Sequence, residues 1–463
     1  MAEPVLICGA GPTGLTLALE LARFGVPFRL IDRAAEPVRH APALAVHART
    51  LEVLEASGVT ASLLEHVHRI DGMSVRDAAR ALVEVEFAGM PTAYDYVAIV
   101  PQQTTERLFS ERLAAMGCTL ERGVTLRALL VDDDGANATL QREGVARTER
   151  FSYVAACDGA HGTIGRLRGL APAGGTPRES FMLADLVLAT ELDPRRIAIF
   201  LRDDGCVLAC IPIDGERWRL ICESSPDTPA DPALADFRAA LEAFGLAKTV
   251  EARDAEWTAR YAVERRKLAH YRDTRVFFLG DAAHVHSPVG GQGMNAGIQD
   301  AVNLAWKLAL VLLEGADPRL LDTYAEEREP VGRALLGAAD FGKRFALAAN
   351  PLARSLRATV APVAARLDVV HERLREGVSG LRIAYPRSSL SVHGRAPRGG
   401  TVAGARLRGS RPATHRPQVL IGTGEGERET TIVVRPDGHA GYVAAGAQPT
   451  GAELYLRNII GLG

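Results

Sequence analysis

Three short glycine-bearing stretches hold the residues best placed to do chemistry. Gly9-Ala10-Gly11-Pro12-Thr13-Gly14 follows the apolar run Val5–Cys8 and opens a helical pattern. In that setting Gly9 permits a tight turn, Gly11 lets backbone approach a pyrophosphate, and Gly14 lets the helix lie close to the strand. Free N–H groups and the helix dipole then favour an anion. Asp32 ends the next apolar run, about 20 residues further on, where a carboxylate can accept from ribose hydroxyls. A glycine turn alone is a weak signal. With strand, helix and acid at this spacing it reads as a dinucleotide site, without choosing between NAD and FAD.

The second stretch is Tyr153–Gly162, ending Cys157-Asp158-Gly159-Ala160-His161-Gly162; the third runs from Gly280-Asp281 to a glycine cluster that opens a helix. Three such strand ends are more than a nicotinamide fold requires, and one extended ligand touched at several places accounts for all of them. His284 and His286 could suggest a metal, but no cysteine or carboxylate set completes a tetrahedral site. No metal is expected, and His284 is better suited to fixing its loop by hydrogen bonds.

The elements that must position these loops follow from periodicity. Residues 4–32 read as strand, helix, strand, with Leu15, Ala18, Leu19 and Ala22 on one helical face and Gly25 as its end. Helical patterns recur at 49–57 and 103–116, and short strands fill 119–156. From about Gly175 the segments 181–191, 197–201, 206–213, 217–223 and 252–263 alternate or run apolar between Asp/Gly turns, as in a mostly antiparallel sheet. After the strand 275–279, the helix beginning near Met294 buries Ile298, Val302, Ala305 and Leu308, and Gly315 and Pro318 end it. The layout is a nucleotide-binding unit, interrupted by a sheet and resumed, then a small C-terminal unit. The expected bounds are 1–174 (with a strand insertion near 70–100), 175–272, 273–385 and 386–463.

Composition sets outer limits. The chain has 463 residues, 47% hydrophobic and 24% charged, with a net charge of −2. Such a chain divides into two or three domains, and its charge offers no field for nucleic acid or an anionic membrane. The longest apolar stretch, Leu304–Leu313, contains Lys307 and falls short of the ~20 residues a spanning helix needs. The start of the sequence lacks a signal-peptide pattern. The six cysteines form no CxxC pair, so a cytoplasmic location is expected.

The motifs together resemble the FAD-dependent aromatic hydroxylases, the p-hydroxybenzoate hydroxylase-like class A flavoprotein monooxygenases, closest in style to bacterial polyketide and rifampicin monooxygenases. The matching segments are GAGPTGL with Asp32, VHARTLEVL (46–54), VPQQTTERL (100–108), CDGAHG (157–162), GDAAHVHSPVGGQGMNAGIQDAVNLAWKL (280–308) and YAEEREP (324–330). RPDG (435–438) resembles the end of the family's thioredoxin-like C-terminal module, here shortened. The implied fold is α/β: a Rossmann-like FAD-binding domain of the glutathione-reductase type, an inserted mostly antiparallel substrate sheet, and a short C-terminal module.

The resemblance implies roles. Gly9, Gly11 and Gly14, with Pro12 and Thr13, would hold the FAD pyrophosphate, and Asp32, with Arg33, the adenosine end. Gln102 would contact the flavin end, Asp281 the ribityl chain, and Arg49, Asp158 and Gly280 complete the cofactor set. Pro288 and Gly291 would stand at the reactive flavin edge, with no acid or base assigned. Backbone N–H groups from Gly291 through Gly293 and Met294 to Asn295 would meet the flavin pyrimidine, where a helix dipole favours the negative charge of reduced flavin. NADPH or NADH and O2 would be co-substrates, oxygen being activated at flavin C4a and transferred to an aromatic, polycyclic substrate. The substrate would lie against the sheet, and the protein would be a monomer or homodimer. Two departures stand out. Pro42 occupies a place where the family carries an arginine, with Arg39 and Arg49 as nearest substitutes. Gly165 stands where an arginine follows the Asp-Gly motif, with Arg166 beside it. A flavin-binding protein without hydroxylase activity, or an enzyme giving epoxidation, ring expansion or dehydration, is the competing reading. Phe278, Gly280, His284 and Pro288 half-match the Baeyer–Villiger signature, but Ser287 replaces its aromatic and no second strand-GxGxxG-helix follows; the WxWxIP halogenase pattern is absent.

Overall fold

The apolar run at the start of the chain forms the fully buried strand Val5–Cys8, at the centre of a six-stranded sheet. The computed structural model describes the chain except residues 1–2, 78–79, 171–178, 203, 226–227, 264–265, 286–290, 347–367, 395–400, 408–411, 424–428 and 463. Val5–Cys8 pairs in parallel with Phe28–Asp32 on one side and Tyr153–Ala156 on the other. Leu120–Arg122 extends the first side and Val276–Phe278 the second, again in parallel. The short strand Arg272–Asp273 closes that edge antiparallel. Parallel strands buried on both faces are apolar without alternation, which is how Val5–Cys8, Tyr153–Ala156 and Val276–Phe278 read, whereas the outer Phe28–Asp32 and Leu120–Arg122 are partly buried and carry charges. Three neighbouring strands, Val276–Phe278, Tyr153–Ala156 and Val5–Cys8, end in the three glycine loops. Because they run in parallel, all three loops leave the same edge of the sheet.

The helices Pro12–Phe24 and Gln292–Glu314 pack on each other. Small residues bring their starts together: a Cβ on Gly297 would lie 2.2 Å from the Thr13 hydroxyl, and one on Gly280 2.6 Å from it. Gln292–Glu314 is not amphipathic in place. Ile298, Val302, Ala305 and Leu308 are buried, and so are Asp300, Asn303 and Lys307 on its polar side. That side is covered by the helix Asp322–Ala346 and the C-terminal segment, and its polar groups are paired. Lys307 Nζ lies 2.9 Å from Glu327, and Arg435 binds Glu327 through both terminal nitrogens at 2.6 and 2.8 Å. The helix is long and apolar enough to cross a membrane, but 83% of its most apolar window is buried within the fold.

A seven-stranded sheet faces this unit. Its order runs from Val250–Val263 through Glu179–Thr190, Arg217–Glu223, Val207–Pro212 and Arg196–Leu201 to Gly72–Arg76 and Ala81–Glu86. All pairs are antiparallel except Arg196–Leu201 with Gly72–Arg76. Two of its strands therefore come from the first part of the chain, and the sheet is not confined to 175–272. They cover what would otherwise be an open edge. The boundary placed at 174/175 lies outside the described residues. Period-two alternation gives the sheet two faces. One, with Ala184, Leu186, Phe200, Leu208, Trp218 and Leu220, packs on Phe237 and Leu241 of the helix Leu234–Ala243. The other carries Met73, Ile197, Ile199, Ile211, Ile221 and Tyr261, aligned across the strands by register, and it looks toward the glycine loops.

The C-terminal four-stranded sheet is ordered Val392–His393, Ala440–Ala445, Glu429–Val434, Gln418–Thr423. Its own cluster is small (Ala403, Ala440, Val443), whereas Leu390, Val433, Tyr442, Ala452, Tyr455 and Ile460 join the central core. It is fused to the nucleotide-binding unit through that core and through Arg435.

Candidate active site

Two cavities, of about 330 and 290 Å³, share Gly11, Cys157 and Gly159 in their walls and so form one elongated cleft. The smaller end is lined by Gly9, Asp32, Arg33, Asp158 and Thr163. The larger end is lined by Pro12, Thr13, Gln102, Asp281 and Gly291 to Met294. The three glycine loops thus converge on one space.

At the small end the glycine turn is set by backbone packing. Gly9 has φ +108°, and a Cβ there would sit 2.2 Å from the Cys157 carbonyl oxygen; on Gly14 it would sit 1.9 Å from the Gly9 oxygen. Above Gly11 nothing lies within 4 Å, so this is where a ligand has room. The Asp32 carboxylate accepts from the N–H of Ala10 and of Ala34, both at 2.7 Å, tying the turn to the end of the second strand. A carboxylate has about four acceptor positions, so capacity remains for hydroxyls. The helix Pro12–Phe24 has no side-chain cap, leaving first-turn N–H groups for an anion. Asp158 acts locally. One of its oxygens accepts from Thr163 at 2.5 Å and Ile164 at 3.0 Å, capping the short helix Ile164–Leu167. Burial raises its carboxyl above the usual range, against those N–H groups and Arg33.

At the large end the helix Gln292–Glu314 starts from Gly291, whose φ of +61° is left-handed, with no side-chain cap and no acid in the first turn. Asn295 is spent on positioning. Its amide donates to the carbonyls of Ala45 at 2.8 Å and Gly291 at 2.7 Å, and its oxygen accepts from the His47 N–H at 2.9 Å. Its side chain therefore holds the loop, while the helix start faces the cavity. Asp281 is exposed by area and lines the cavity, yet the surrounding protein raises its carboxyl by burial, partly offset by His284. Gln102 lines the cavity with its amide donating to Glu106 at 2.7 Å.

A buried group that the motifs did not single out organises this end. Asp300 accepts from the Gly280 N–H at 3.0 Å, meets His284 Nε2 at 2.7 Å and binds Arg328 at 2.6 Å. Arg328 also donates to the Ala296 carbonyl and the Tyr385 hydroxyl. Burial alone would raise the Asp300 carboxyl, but Arg328, His284 and the Gly280 N–H lower it to about 2. A charged side chain on a helix otherwise rich in buried apolar residues was the available signal.

Other expected residues lie elsewhere. Arg49 is buried and turned away from the cleft, donating to the Asp437 carbonyl at 2.6 Å and Glu52 at 3.0 Å. Arg39 is 84% exposed, and Arg166 is exposed. Pro288 and His286 lie outside the described residues. Pro42 lines the cavity, and its loop is held from the opposite sheet. Arg219 donates to the carbonyls of Ala41 at 2.8 Å and Pro42 at 2.9 Å while paired with both oxygens of Asp185. Neither Arg39 nor Arg49 takes that place. Among the described residues no cluster could hold a metal ion.

A long cleft with open space over Gly11, an acid near each end and a helix start at each end fits an FAD. Comparison with known proteins agrees. A family model described as FAD binding domain matches residues 2–339. The chain is 38% identical over 397 residues to a 6-methylpretetramide 4-monooxygenase of Streptomyces rimosus, covering 84% of this chain and 71% of that protein. It is 34% identical over 341 residues to a rifampicin monooxygenase of Streptomyces venezuelae, covering 72% and 69%. The solved structure of OxyS anhydrotetracycline hydroxylase from Streptomyces rimosus matches with a TM-score of 0.78 at 29% identity, over 100% of this chain and 99% of that one. With most of its length and all three loops inside that match, the chain belongs to the FAD binding domain family, among its FAD-dependent monooxygenases.

Proposed function

We propose that this monooxygenase hydroxylates a polycyclic aromatic substrate of the polyketide type, using NADPH or NADH and O2. The observation that carries the reading is the two-sided cleft: cofactor loops and a helix start on one side, an apolar sheet face on the other. Such a slot accepts a flat, largely apolar ring system. The relatives named above act on tetracycline-type intermediates and on rifampicin.

When bound, FAD supplies the redox chemistry, accepting hydride from the nicotinamide and passing one oxygen atom of O2 to the substrate ring. In this reading Gly9, Gly11, Pro12, Thr13 and Gly14 hold its pyrophosphate, and Asp32 and Arg33 lie at the adenosine. Asp281 takes the ribityl hydroxyls, with Gln102 near the ring. The start of the helix at Gly291 to Asn295 directs N–H groups at the pyrimidine, where a fixed positive dipole favours negative charge. Asp300 and Asn295 are positioning residues that hold Gly280 and Gly291. The apolar sheet face would keep water away from the bound cofactor and substrate. The supply of NAD(P)H makes the cytoplasm the compartment this reading implies.

The test is to reconstitute the protein with FAD and follow NAD(P)H oxidation with and without a tetracyclic or angular polyketide phenol under isotopically heavy O2. The expected result is faster oxidation with substrate and a product heavier by one labelled oxygen atom. No flavin reduction with any such substrate would favour the flavin-binding alternative, and a product of different composition would favour another oxygenation outcome.

A further inference from the structure

The sheet-derived wall of the cavity is apolar among its described residues, with one exception. Met73, Ile197, Ile199, Ile211 and Ile221 supply the greasy surface, and Tyr261 supplies a hydroxyl. Register puts Tyr261 on the same face: it stands opposite Phe181, two residues from Leu183, which stands opposite Ile221. The ring is fixed by packing against the cluster that contains Phe181, Leu183 and Val285. The hydroxyl has no hydrogen-bond partner among the described residues. The hydroxyl is not sealed off: it opens into the cavity, where water or a ligand oxygen can pair with it. Here the space beside it is where the proposed substrate would lie.

We infer that Tyr261 is a specificity residue, donating a hydrogen bond to a carbonyl or phenolic oxygen of the aromatic substrate and so fixing which ring edge faces Gly291. The inference rests on the proposed aromatic substrate. Burial, with the negative charge of Asp281 in second place, pushes the Tyr261 phenol up to about 12. At neutral pH it therefore stays protonated and acts as a donor, not as a base. A site built around a donor rejects ligands that leave the donor unpaired. Oxygen-bearing polycycles are thus selected over bare hydrocarbons of the same shape.

The test compares FAD-loaded wild type with Tyr261→Phe, which keeps the ring and removes the hydroxyl. Binding of 1,8-dihydroxyanthraquinone and of anthracene is titrated through flavin fluorescence without NAD(P)H, so that no turnover is needed. The expected result is an unchanged FAD content, a Kd for the quinone raised about tenfold, and an unchanged Kd for anthracene. An unchanged quinone Kd, or equal weakening of both ligands, would overturn the role. The hydroxylase reading is judged separately: wild type that binds the quinone yet incorporates no oxygen into any aromatic substrate counts against that reading, while the binding comparison still decides Tyr261.

Discussion

Gly11 and Gly14 sit in one turn under opposite constraints, and single substitutions separate them. A Cβ at Gly14 would collide with the Gly9 oxygen at 1.9 Å, whereas one at Gly11 meets nothing within 4 Å. Gly14→Ala is therefore expected to disrupt the helix–strand packing and the folded protein with it. Gly11→Ala is expected to fold, with a melting temperature close to wild type without cofactor, yet to bind FAD about tenfold or more weakly because the methyl enters the cleft. Thermal melts of the FAD-free proteins and FAD titrations check both. An unchanged FAD affinity in a folded Gly11→Ala would show that the space over Gly11 is not the ligand's.

The helix Gln292–Glu314 shows how an element is held by charge inside a core. Asp300, His284 and Arg328 are each about 1% exposed or less. Removing the carboxylate leaves a buried guanidinium with no countercharge, a situation that typically costs about 3–5 kcal/mol. Asp300→Ala is expected to lose stability on that scale, read from denaturant unfolding, and to weaken FAD binding as Gly280 loses its anchor. The pH dependence follows from the same group. Its carboxyl is lowered to about 2 in the folded protein, against roughly 3.9 for an unperturbed aspartate. The unfolded chain thus binds the proton more tightly, so the stabilisation is complete above about pH 4 and declines as pH falls toward about 2. Asp300→Asn should show a shallower acid loss over that window. On the opposing sheet, Arg219→Met is expected to free the Ala41-Pro42 loop and leave the Asp185 charge unpaired, which faster proteolysis of that loop would report.

Across the whole molecule, the C-terminal segment behaves as a structural part of the nucleotide-binding unit. Arg435 is fully buried against Glu327, which also binds Lys307 and the Ser388 hydroxyl. Tyr442 and Tyr455 lie in the central core. Truncation after residue 385 is therefore expected to give an unfolded or aggregating FAD unit, not an independent domain, as checked by soluble yield and circular dichroism. A truncated protein that still bound FAD with a cooperative melt would refute the fusion. Arg435→Ala should reproduce part of the loss, because Glu327 and Lys307 remain buried with less compensation.

Local chemistry is legible along the chain, whereas long-range partnership is not. The glycine turn, Asp32 at the strand end and the left-handed Gly315 that stops the long helix depend on backbone preferences within a few residues, which residue type alone expresses. The alternation of 181–223 likewise marks a two-faced sheet, since side-chain direction follows a period of two. Reading outward from Pro42 for a replacement arginine leads only to its neighbours, Arg39 and Arg49. The group that binds the Pro42 carbonyl is Arg219, 177 residues away. Asp300 and Arg435 lie inside matching segments that do not reveal their partners, and Tyr261 lies in none, for the same reason. A charge or hydroxyl shows its partner, or its lack of one, only after distant strands and helices have been brought within a few ångströms. Residue order alone thus settles the turns, the strand ends and the class of cofactor they suit. Folding in three dimensions settles the rest: that the three loops leave one sheet edge, which apolar face they meet, and which buried charges hold them there.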